Sequence, residues 1–438
     1  MQALRYSSGQ SVAFIGAGGK TTAMFKLARE MARFSPVIVT ASSHLGVWQV
    51  SSAEKHLVVT SINEFNDLEK DLKGIILITG VVDGDRTKPV SDEVLFVLSQ
   101  LCISRSIPLL IEADGSRSKP IKAWAEREPP IPDFVDIVVE VVGLTGIGSS
   151  LTEESVHRSQ IFAQLSGLKP NQSVNAEALT HVVTHPLGGL KNIPFAARKI
   201  VLLNQADTAD LQSMAQGMVA PLLKSFDSVI IAKLQQDTIF AVHERIAGVV
   251  VAAGKASRYG QPKQLLNWKG DPFVRAVANT ALSAGLDPVV VITGAYAEKV
   301  IEAVKELNVE IVDNENWEQG QGTSIRTGVS IVRDKVGGCI FLLVDQPQVN
   351  TSILRALVEK HAEGLYPVVA PMVIDQRANP VLCDRVTFGD LLQLDGDVGG
   401  RAIFHKHHVE YLPWHDDRLL LDVDTPEQYQ RLIGDDTL

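Results

Sequence analysis

Short apolar runs alternate with stretches of helical periodicity along the chain. Six runs in the first half have strand length, and they fall at 11–15, 37–40, 57–60, 75–79, 108–113 and 199–203, with amphipathic stretches such as 23–34 and 90–104 between them. The pattern restarts at 246–251 and continues with strands at 288–293 and 309–313 and helices at 271–285 and 298–307. This alternation predicts an α/β protein with two doubly wound, mostly parallel-sheet domains, 1–245 and 246–438, whose ligands bind at the carboxyl ends of the strands.

The composition of the 438 residues narrows the classes of function. Hydrophobic residues make up 45% and charged residues 21%, with a net charge of −10, which argues against nucleic acid or an anionic membrane as a partner. The three cysteines are too few for a disulfide framework or a zinc site. Residues 1–10 are polar and no apolar run approaches the ~18 residues of a membrane span, so a cytoplasmic location is expected. Any phosphate binding must therefore come from local loops and metal ions.

The strand at 11–15 runs into Gly16-Ala-Gly-Gly-Lys-Thr-Thr22 and then into a helix. Strand, glycine loop, Lys-Thr and helix form the P-loop arrangement, in which backbone N–H groups and a helix N-terminus hold phosphates and the Thr hydroxyl holds magnesium. The predicted nucleotide-binding residues are Gly16, Gly18, Gly19, Lys20 and Thr21. The Walker spacing is incomplete, because Phe14 stands where its first glycine would be. A glycine turn that only opens the helix stays open as the alternative.

Polar residues follow two further strands of this half. Asp114, after the strand at 108–113, is a candidate magnesium ligand, with turn capping as the alternative. Asn204-Gln-Ala-Asp207 is similar to the guanine-reading Asn-Lys-x-Asp motif of GTPases, although Gln205 replaces the lysine. Asn204 and Asp207 are therefore candidate base-binding residues, with GTP or ATP as the nucleotide. An ordinary helix N-cap is the equal alternative.

Five segments of the first half, 16–22, 112–117, 126–132, 157–158 and 203–207, together resemble the YqeC-like family, across roughly residues 8–235. That family is described as accessory to selenium-dependent molybdenum hydroxylases. The resemblance implies a pathway more than a reaction, with a molybdenum hydroxylase apoenzyme as the expected partner.

The strand at 246–251 ends in a loop that carries glycines and positive charge. Ala252-Ala253-Gly254-Lys255 comes first, followed by Arg258, Gly260 and Lys263. Glycines let the backbone approach a ligand closely, and three cations within nine positions can neutralise a triphosphate as charge moves during transfer. A solvated basic turn is the alternative if the loop is taken alone.

Two aspartates far apart in the sequence follow apolar runs. Asp345 ends a predicted strand at 339–344, and Asp424 lies just beyond a predicted strand at 418–421. Two strand-end carboxylates suit a triphosphate-bound Mg²⁺, since magnesium prefers oxygen ligands and takes only a few from protein. Helix capping is the alternative, for Asp424 above all.

The loop pattern Ala252-Ala253-Gly254-x-x-x-Arg258-x-Gly260-x-x-Lys263 resembles the signature of the MobA-like nucleotidyltransferases, and within them the MocA-like molybdenum cofactor cytidylyltransferases. The resemblance implies a Rossmann-like (GT-A/MobA-like) fold for the second domain, with CTP and molybdenum-loaded molybdopterin as substrates. It implies Mg²⁺ held by Asp345 and Asp424, and it places Ser324 beside the base and ribose. The residues that it places near the acceptor are Arg377, Asn379, Pro380, Asp397 and Arg401.

The implied reaction is in-line attack of an acceptor phosphate on the α-phosphorus of CTP, with Lys263, Arg258 and Asp345 as catalytic residues. Lys263 would stabilise the α-phosphate, while Arg258 and Lys255 would hold the β- and γ-phosphates. Guanylyl-transferring relatives tend to carry a glycine where Ala252-Ala253 stands, which favours the pyrimidine. Two alternatives stay open: transfer to another phosphorylated metabolite, or a GTP- or ATP-switched accessory protein or chaperone that hands the cofactor to a hydroxylase.

Overall fold

The computed structural model describes residues 1–64, 72–255 and 261–434. It divides into two compact units, Met1–His243 and Glu244–Leu438. Each unit pairs sheets with helices, so the predicted α/β class is confirmed. Within the described ranges, no helix is long and apolar enough to cross a membrane.

The first unit is built on one nine-stranded sheet. Its strands are β1 (Ser11–Gly16), β2 (Val37–Ala41), β3 (Lys55–Val58), β4 (Ile75–Thr79), β5 (Leu109–Glu112), β6 (Ile137–Gly143), β7 (Arg198–Asn204), β8 (Ser228–Lys233) and β9 (Thr238–Glu244). The order across the sheet is β9-β8-β7-β6-β1-β5-β2-β4-β3, and every pairing from β8 to β3 is parallel. β1 is central and fully buried, as expected for an apolar strand covered on both faces.

Five helices of eight or more residues lie in the described part of this unit. They are α1 (Lys20–Met31), α2 (Asp92–Arg105), α3 (Ser159–Ser166), α4 (Ala176–Thr184) and α5 (Ala209–Leu222). Side chains of Ser91, Asn175 and Thr208 cap α2, α4 and α5. The N-cap residue of α1 is Gly19, which has no side chain to accept from the first turn. The first N–H groups of α1 are therefore available to a ligand.

The second unit contains a mixed sheet with helices on both faces. Its strands are β10 (Ile246–Val251), β11 (Val289–Thr293), β12 (Glu310–Asp313), β13 (Gly338–Leu343), β14 (Val368–Val373), β15 (Gln376–Arg377), β16 (Val381–Asp384) and β17 (Val409–Pro413). The order is β12-β11-β10-β13-β16-β14-β15, and β17 pairs with β14. The four strands from β12 to β13 are parallel, whereas β16 runs antiparallel to both of its neighbours.

Alternation along β10 builds two cores, one on each face of this sheet. Ile246 and Val250 belong to one core and Ala247 and Val249 to the other. The first core is covered by α6 (Phe273–Ala284), α7 (Ala297–Val304) and α9 (Thr351–Gly364), and the second by α8 (Gln321–Val332) and α10 (Phe388–Leu391). The last helix is α11 (Pro426–Gly434). Helices on both faces make this unit doubly wound.

One predicted element is wrong. The apolar run at 418–421 forms no strand: Asp417–Leu420 is a 3₁₀ turn, and 421–424 has no regular structure. The reason is local, because Asp416 accepts a hydrogen bond from the backbone N–H of Arg418 (3.1 Å) and so starts a turn. The segment still reaches the end of β13, since the N–H of Val423 donates to the carbonyl of Asp345 (3.0 Å).

Candidate active site and a second polar cavity

The loop after β10 is anchored from behind by a buried amide. Ala252 and Ala253 are buried, whereas Gly254 and Lys255 are exposed. The side-chain N–H₂ of Gln264 donates to the carbonyls of Ala252 (3.3 Å) and Gly254 (3.0 Å), which leaves the backbone of this turn facing outward. The predicted residues Arg258 and Gly260 lie outside the described residues.

Lys263 stands between the two aspartates that the sequence singles out. Its ammonium group forms an ion pair with Asp424 and lies 3.9 Å from a carboxylate oxygen of Asp345. The contact between Val423 and the Asp345 carbonyl explains how residues almost eighty positions apart come together. The structure thus places Lys263, Asp345 and Asp424 at one point, at the carboxyl end of the parallel strands.

Negative charge accumulates around Asp345. The pKa of this carboxyl is raised to about 6, chiefly by burial and then by the charges of Asp422 and Asp424, while Lys263 opposes the rise. Its Oδ1 is buried and has no hydrogen-bond partner among the described residues. Asp422 is held by the amide of Gln346 (2.6 Å), and burial and Asp424 raise its pKa too. The site therefore contains more negative charge than Lys263 alone neutralises.

The ion pair opens on a cavity of about 580 Å³. Among the predicted residues, its lining includes Ala253, Gly254, Lys255, Lys263, Ser324 and Asp345. Ser324 is buried near the start of α8, and its hydroxyl accepts from the amide of Asn314 (3.0 Å). The indole of Trp317 adds an aromatic wall. Glycine-loop backbone, a lysine, a carboxylate and an aromatic ring are the groups that a nucleoside triphosphate requires.

A second cavity of about 590 Å³ adjoins the first. The two linings share Val251, Gln321, Leu343 and Asp397. The second cavity adds Asn379, Arg401 and Asp422 as polar groups and Phe341 and Phe404 as aromatic ones. Two other predicted acceptor residues stand back from this lining: the guanidinium of Arg377 lies 4.6 Å from the ring centre of Phe404, and Pro380 is buried.

The residues around Asp345 fit a divalent cation that phosphate oxygens help to bind. The described residues contain no group of three or more His, Cys, Asp or Glu side chains placed to hold a metal alone. Two carboxylates, an unpaired buried oxygen on Asp345 and raised pKa values are what a site shows when a cation is needed to balance it. Mg²⁺ commonly takes one or two carboxylates and completes its shell with phosphates and water.

In the first unit, the predicted glycine loop is shaped by close backbone packing. Gly16, Gly18 and Gly19 have φ values of 93°, 84° and 120°. A Cβ on Gly18 would lie 2.3 Å from the Cα of Gly143, so no side chain fits there. The loop is pressed against the end of β6 and leads directly into α1.

Lys20 and Asp114 form the buried centre of this loop. The Lys20 ammonium donates to the carbonyl of Gly16 (2.8 Å) and lies 3.2 Å from Asp114, which also accepts from Lys122 (2.9 Å) and the Trp124 indole (2.7 Å). Although burial alone would raise it, these two lysines hold the pKa of Asp114 below its ordinary value. The proposed magnesium role of Asp114 must compete with both ammonium groups.

The carboxylate that contacts Thr21 is a different one. The Thr21 hydroxyl donates to Glu112 (2.7 Å), a buried acid at the end of β5 whose pKa is raised by burial. Sequence reasoning passed over Glu112 because it sits inside the apolar run that predicts the strand. A lone acid at the last position of a buried strand was the available signal.

Asn204 supports the glycine loop from the side. Its amide donates to the carbonyl of Gly18 (2.8 Å), and its oxygen accepts from the N–H of Leu234 (3.1 Å). Asp207 is part-exposed and lies 3.6 Å from Lys233. Thr208 is the N-cap of α5, so neither residue caps that helix. Base reading by Asn204 and Asp207 stays a prediction.

A polar cavity of about 460 Å³ opens in front of the glycine loop. Gly19, Lys20, Thr21 and Glu112 line it, together with arginines and histidines from later loops. Asn204 and Asp207 are not among the described residues that line this cavity.

Comparison with known families divides the chain in the same way as its fold. The model of the YqeC protein family matches residues 12–160, and that of the MobA-like NTP transferase domain matches residues 248–411. An uncharacterized YqeC protein of Escherichia coli K12 is 28% identical over 48% of this chain and 82% of its own length. A protein named nicotine blue oxidoreductase, from Paenarthrobacter nicotinovorans, is 30% identical over 43% of this chain and 96% of its own length.

Other similar proteins have names that describe nucleotidyltransferases. A molybdenum cofactor cytidylyltransferase of Escherichia coli K12 is 23% identical over 41% of this chain and 92% of its own length. A probable molybdenum cofactor guanylyltransferase of Bacillus cereus Q1 is 28% identical over 31% of this chain and 66% of its own length. The solved structure of Rv0371c from Mycobacterium tuberculosis H37Rv is 31% identical over 43% of this chain and 98% of that one, with a TM-score of 0.40.

Proposed function

We propose that this chain, which belongs to the YqeC family in its first unit and to the MobA-like NTP transferase family in its second, transfers CMP from CTP to molybdenum-loaded molybdopterin. The products are molybdopterin cytosine dinucleotide and pyrophosphate. The observation that carries the proposal is the meeting of Lys263 and Asp345 in the lining of a cavity, with Asp424 paired to Lys263, next to a second cavity of similar size. Relatives that carry cytidylyltransferase and guanylyltransferase names support the reaction class.

The chemistry follows from the groups at that point. A terminal phosphate oxygen of the acceptor attacks the α-phosphorus of CTP, and the bond from that phosphorus to the pyrophosphate oxygen breaks. Lys263 gives up its contact with Asp424 and stabilises the charge on the α-phosphate, while Lys255 contacts the outer phosphates together with Arg258. No base is required, because a phosphate acceptor is already ionised near neutral pH.

Asp345 and Asp424 would hold a divalent cation, which we propose is Mg²⁺. When bound, this ion supplies charge neutralisation between the carboxylates and the triphosphate. Asp345 must be ionised for that role. Because its pKa is raised to about 6, protonation removes its charge at a higher pH than for an ordinary aspartate.

The adjoining cavity suits a flat, phosphorylated acceptor. Phe341 and Phe404 offer aromatic surface, and Arg401 and Asn379 offer donors for a phosphate and ring heteroatoms. These features match molybdopterin, although they also admit another phosphorylated metabolite with a planar ring.

For the first unit we propose binding of GTP or ATP at the Lys20 loop and a role in maturing a molybdenum hydroxylase, with the apoenzyme as partner. The polar cavity at the N-terminus of α1 supports the nucleotide part. The competing function for the whole chain is a nucleotide-switched chaperone that hands over the cofactor.

The test is pyrophosphate release by the full chain with Mg²⁺ and molybdenum-loaded molybdopterin, comparing CTP, GTP and ATP. Lys263→Ala and Asp345→Ala should abolish release, while Lys335→Ala, an exposed lysine paired with Glu310, should not. Release with CTP alone supports the proposal, and preference for another triphosphate keeps the reaction class and discards the product. Absence of release with every nucleotide, together with hydrolysis that Lys20→Ala abolishes, supports the chaperone instead.

A further inference from the structure

The cavity of the first unit is lined by more cationic than anionic side chains. Its lining carries four cations, Lys20, Arg86, Arg117 and Arg158, and three carboxylates, Asp85, Glu112 and Glu128. Two of those carboxylates are already satisfied: Glu128 forms a two-pronged pair with Arg158, and Glu112 is buried, accepts from Thr21 and has a raised pKa. Arg86 and Arg117 are exposed, and their guanidinium groups have no ion-pair partner among the described residues.

His157 is a polar side chain that the surrounding protein leaves unused. It is 8% exposed, lies on the short strand Val156–His157 and forms part of the cavity lining. Its backbone carbonyl accepts from the N–H of Ala123, which fixes its position. The imidazole itself forms no hydrogen bond with any described residue. A buried, unpartnered ring at the wall of a polar cavity is placed to contact a ligand.

We infer that the cavity at the N-terminus of α1 binds a phosphate-bearing anion, and that His157 takes up a proton as the anion binds and donates a hydrogen bond to it. The glycine loop and Lys20 supply one side of the anion site, and Arg117 and Arg158 supply the other. This inference rests on the proposed phosphate binding of the first unit. It adds His157 as a residue that contacts the anion and the uptake of one proton on binding.

The charges around His157 explain why the ring takes up a proton when the anion binds and not before. The pKa of His157 is lowered to about 4, chiefly by burial and then by the charges of Arg158, Lys122 and Arg117, while Glu128 opposes them. The ring is therefore neutral near pH 7 in the empty cavity. An anion bound among these cations offsets their repulsion, so the pKa rises and the affinity for the anion increases as the pH falls.

Sulfate is the appropriate probe, because it is tetrahedral and keeps both charges between pH 5 and pH 7, unlike phosphate. We would follow the histidine ring protons of the full chain by NMR, with and without sulfate, and assign His157 by its loss in His157→Gln. The His157 pKa should rise by about one pH unit or more with saturating sulfate. Sulfate affinity should increase about twofold or more from pH 7 to pH 5 in the unmodified chain and increase less in His157→Gln.

His44→Gln is the matched control. His44 lines the same cavity, but its ring contacts the carbonyl of Thr87 (3.1 Å), so its loss should leave the pH dependence intact. Arg117→Gln should weaken sulfate binding and raise the His157 pKa in the absence of sulfate, since it removes one repelling charge. The titration itself is measured on the unmodified chain, and a variant is needed only to assign the His157 signal.

The outcomes separate the inference from the proposed function. If sulfate, GTP and ATP all bind without any effect of Arg117→Gln, phosphate binding at this cavity is wrong and the inference is overturned with it. If they bind, depend on Arg117 and leave the His157 pKa unchanged, only the role of His157 is overturned. Tighter binding of GTP or ATP than of sulfate, with the same rise in pKa, would identify a nucleotide rather than free phosphate as the ligand.

Discussion

Replacing Asp345 with asparagine should stabilise the second unit while it removes nucleotidyl transfer. The carboxyl is largely buried, has one oxygen without a partner, and is repelled by Asp422 and Asp424. Lys263, at 3.9 Å, compensates only in part. An amide of the same shape removes the repulsion and keeps the backbone contact with Val423.

The size of the effect follows from the shifted pKa. Asp345 has a pKa of about 6 in the folded protein against an ordinary value of 3.8, so the folded protein binds the proton more tightly than the unfolded chain. Stability is therefore lost as the pH rises from about 4 to about 6. Each pH unit corresponds to about 1.4 kcal/mol, so ionised Asp345 costs about 3 kcal/mol at pH 7.5 and about 1 kcal/mol at pH 4.5.

Calorimetry on the metal-free protein measures this directly. At pH 7.5, Asp345→Asn should raise the melting temperature of the second unit by several degrees, since roughly 2–4 °C corresponds to 1 kcal/mol for a domain of this size. The gain should shrink by about two thirds at pH 4.5. Added Mg²⁺ should stabilise the unmodified chain and have a smaller effect on Asp345→Asn, because one of the two carboxylates that would hold the ion is removed.

Asp416→Asn is the matched control with the opposite sign. The side chain of Arg418 donates to Asp416 and lowers its pKa, so neutralising Asp416 should reduce stability near neutral pH. The reasoning is refuted if Asp345→Asn lowers the melting temperature at pH 7.5, or if its gain is the same at both pH values.

Three further predictions concern other contacts. Lys263→Ala should reduce pyrophosphate release about a hundredfold or more, since one charge at the α-phosphate is lost, and an unchanged rate would move that role elsewhere. Asn204→Ala should lower the free energy of unfolding of the first unit by about 1–3 kcal/mol in urea titration, because the Gly18 carbonyl and the Leu234 N–H lose their partner, and an effect near zero would mean that water replaces it. Gly18→Ala should cost more than Asn204→Ala in the same titration, since its Cβ meets backbone 2.3 Å away, and a smaller cost would show that the loop can shift.

The fold was predictable where hydrophobic periodicity is strong. Most parallel strands fall within a few residues of the predicted runs, because buried parallel strands are continuous apolar segments, whereas β6 and β8 were not predicted. Strands β16 and β17 were not predicted either, since short strands between polar loops carry little periodicity. The predicted strand at 418–421 failed because Asp416 starts a turn, and an apolar run alone does not report that hydrogen bond.

The residues of the candidate site also divide into those that the sequence predicted and those that it did not. Motif residues such as Lys263 and Asp345 were found from the sequence because loops at strand ends have a recognisable composition. Asp422, Glu112 and His157 were not assigned roles, since their importance comes from neighbours distant in sequence: Gln346 for Asp422, Thr21 for Glu112, and the surrounding cations for His157. Conversely, the contacts of Asn204 with Gly18 and Leu234 show a structural use for a residue that a motif assigns to base reading.

The wall between the two cavities of the second unit bears on how such proteins diversify. Because the linings overlap only at Val251, Gln321, Leu343 and Asp397 among the described residues, substitutions elsewhere in one lining leave the other unchanged. Under the proposed function, the residues that would bind the acceptor can therefore change while those that would hold the triphosphate stay the same, and the converse holds as well. The same separation offers protein engineers a way to retarget this scaffold one substrate at a time.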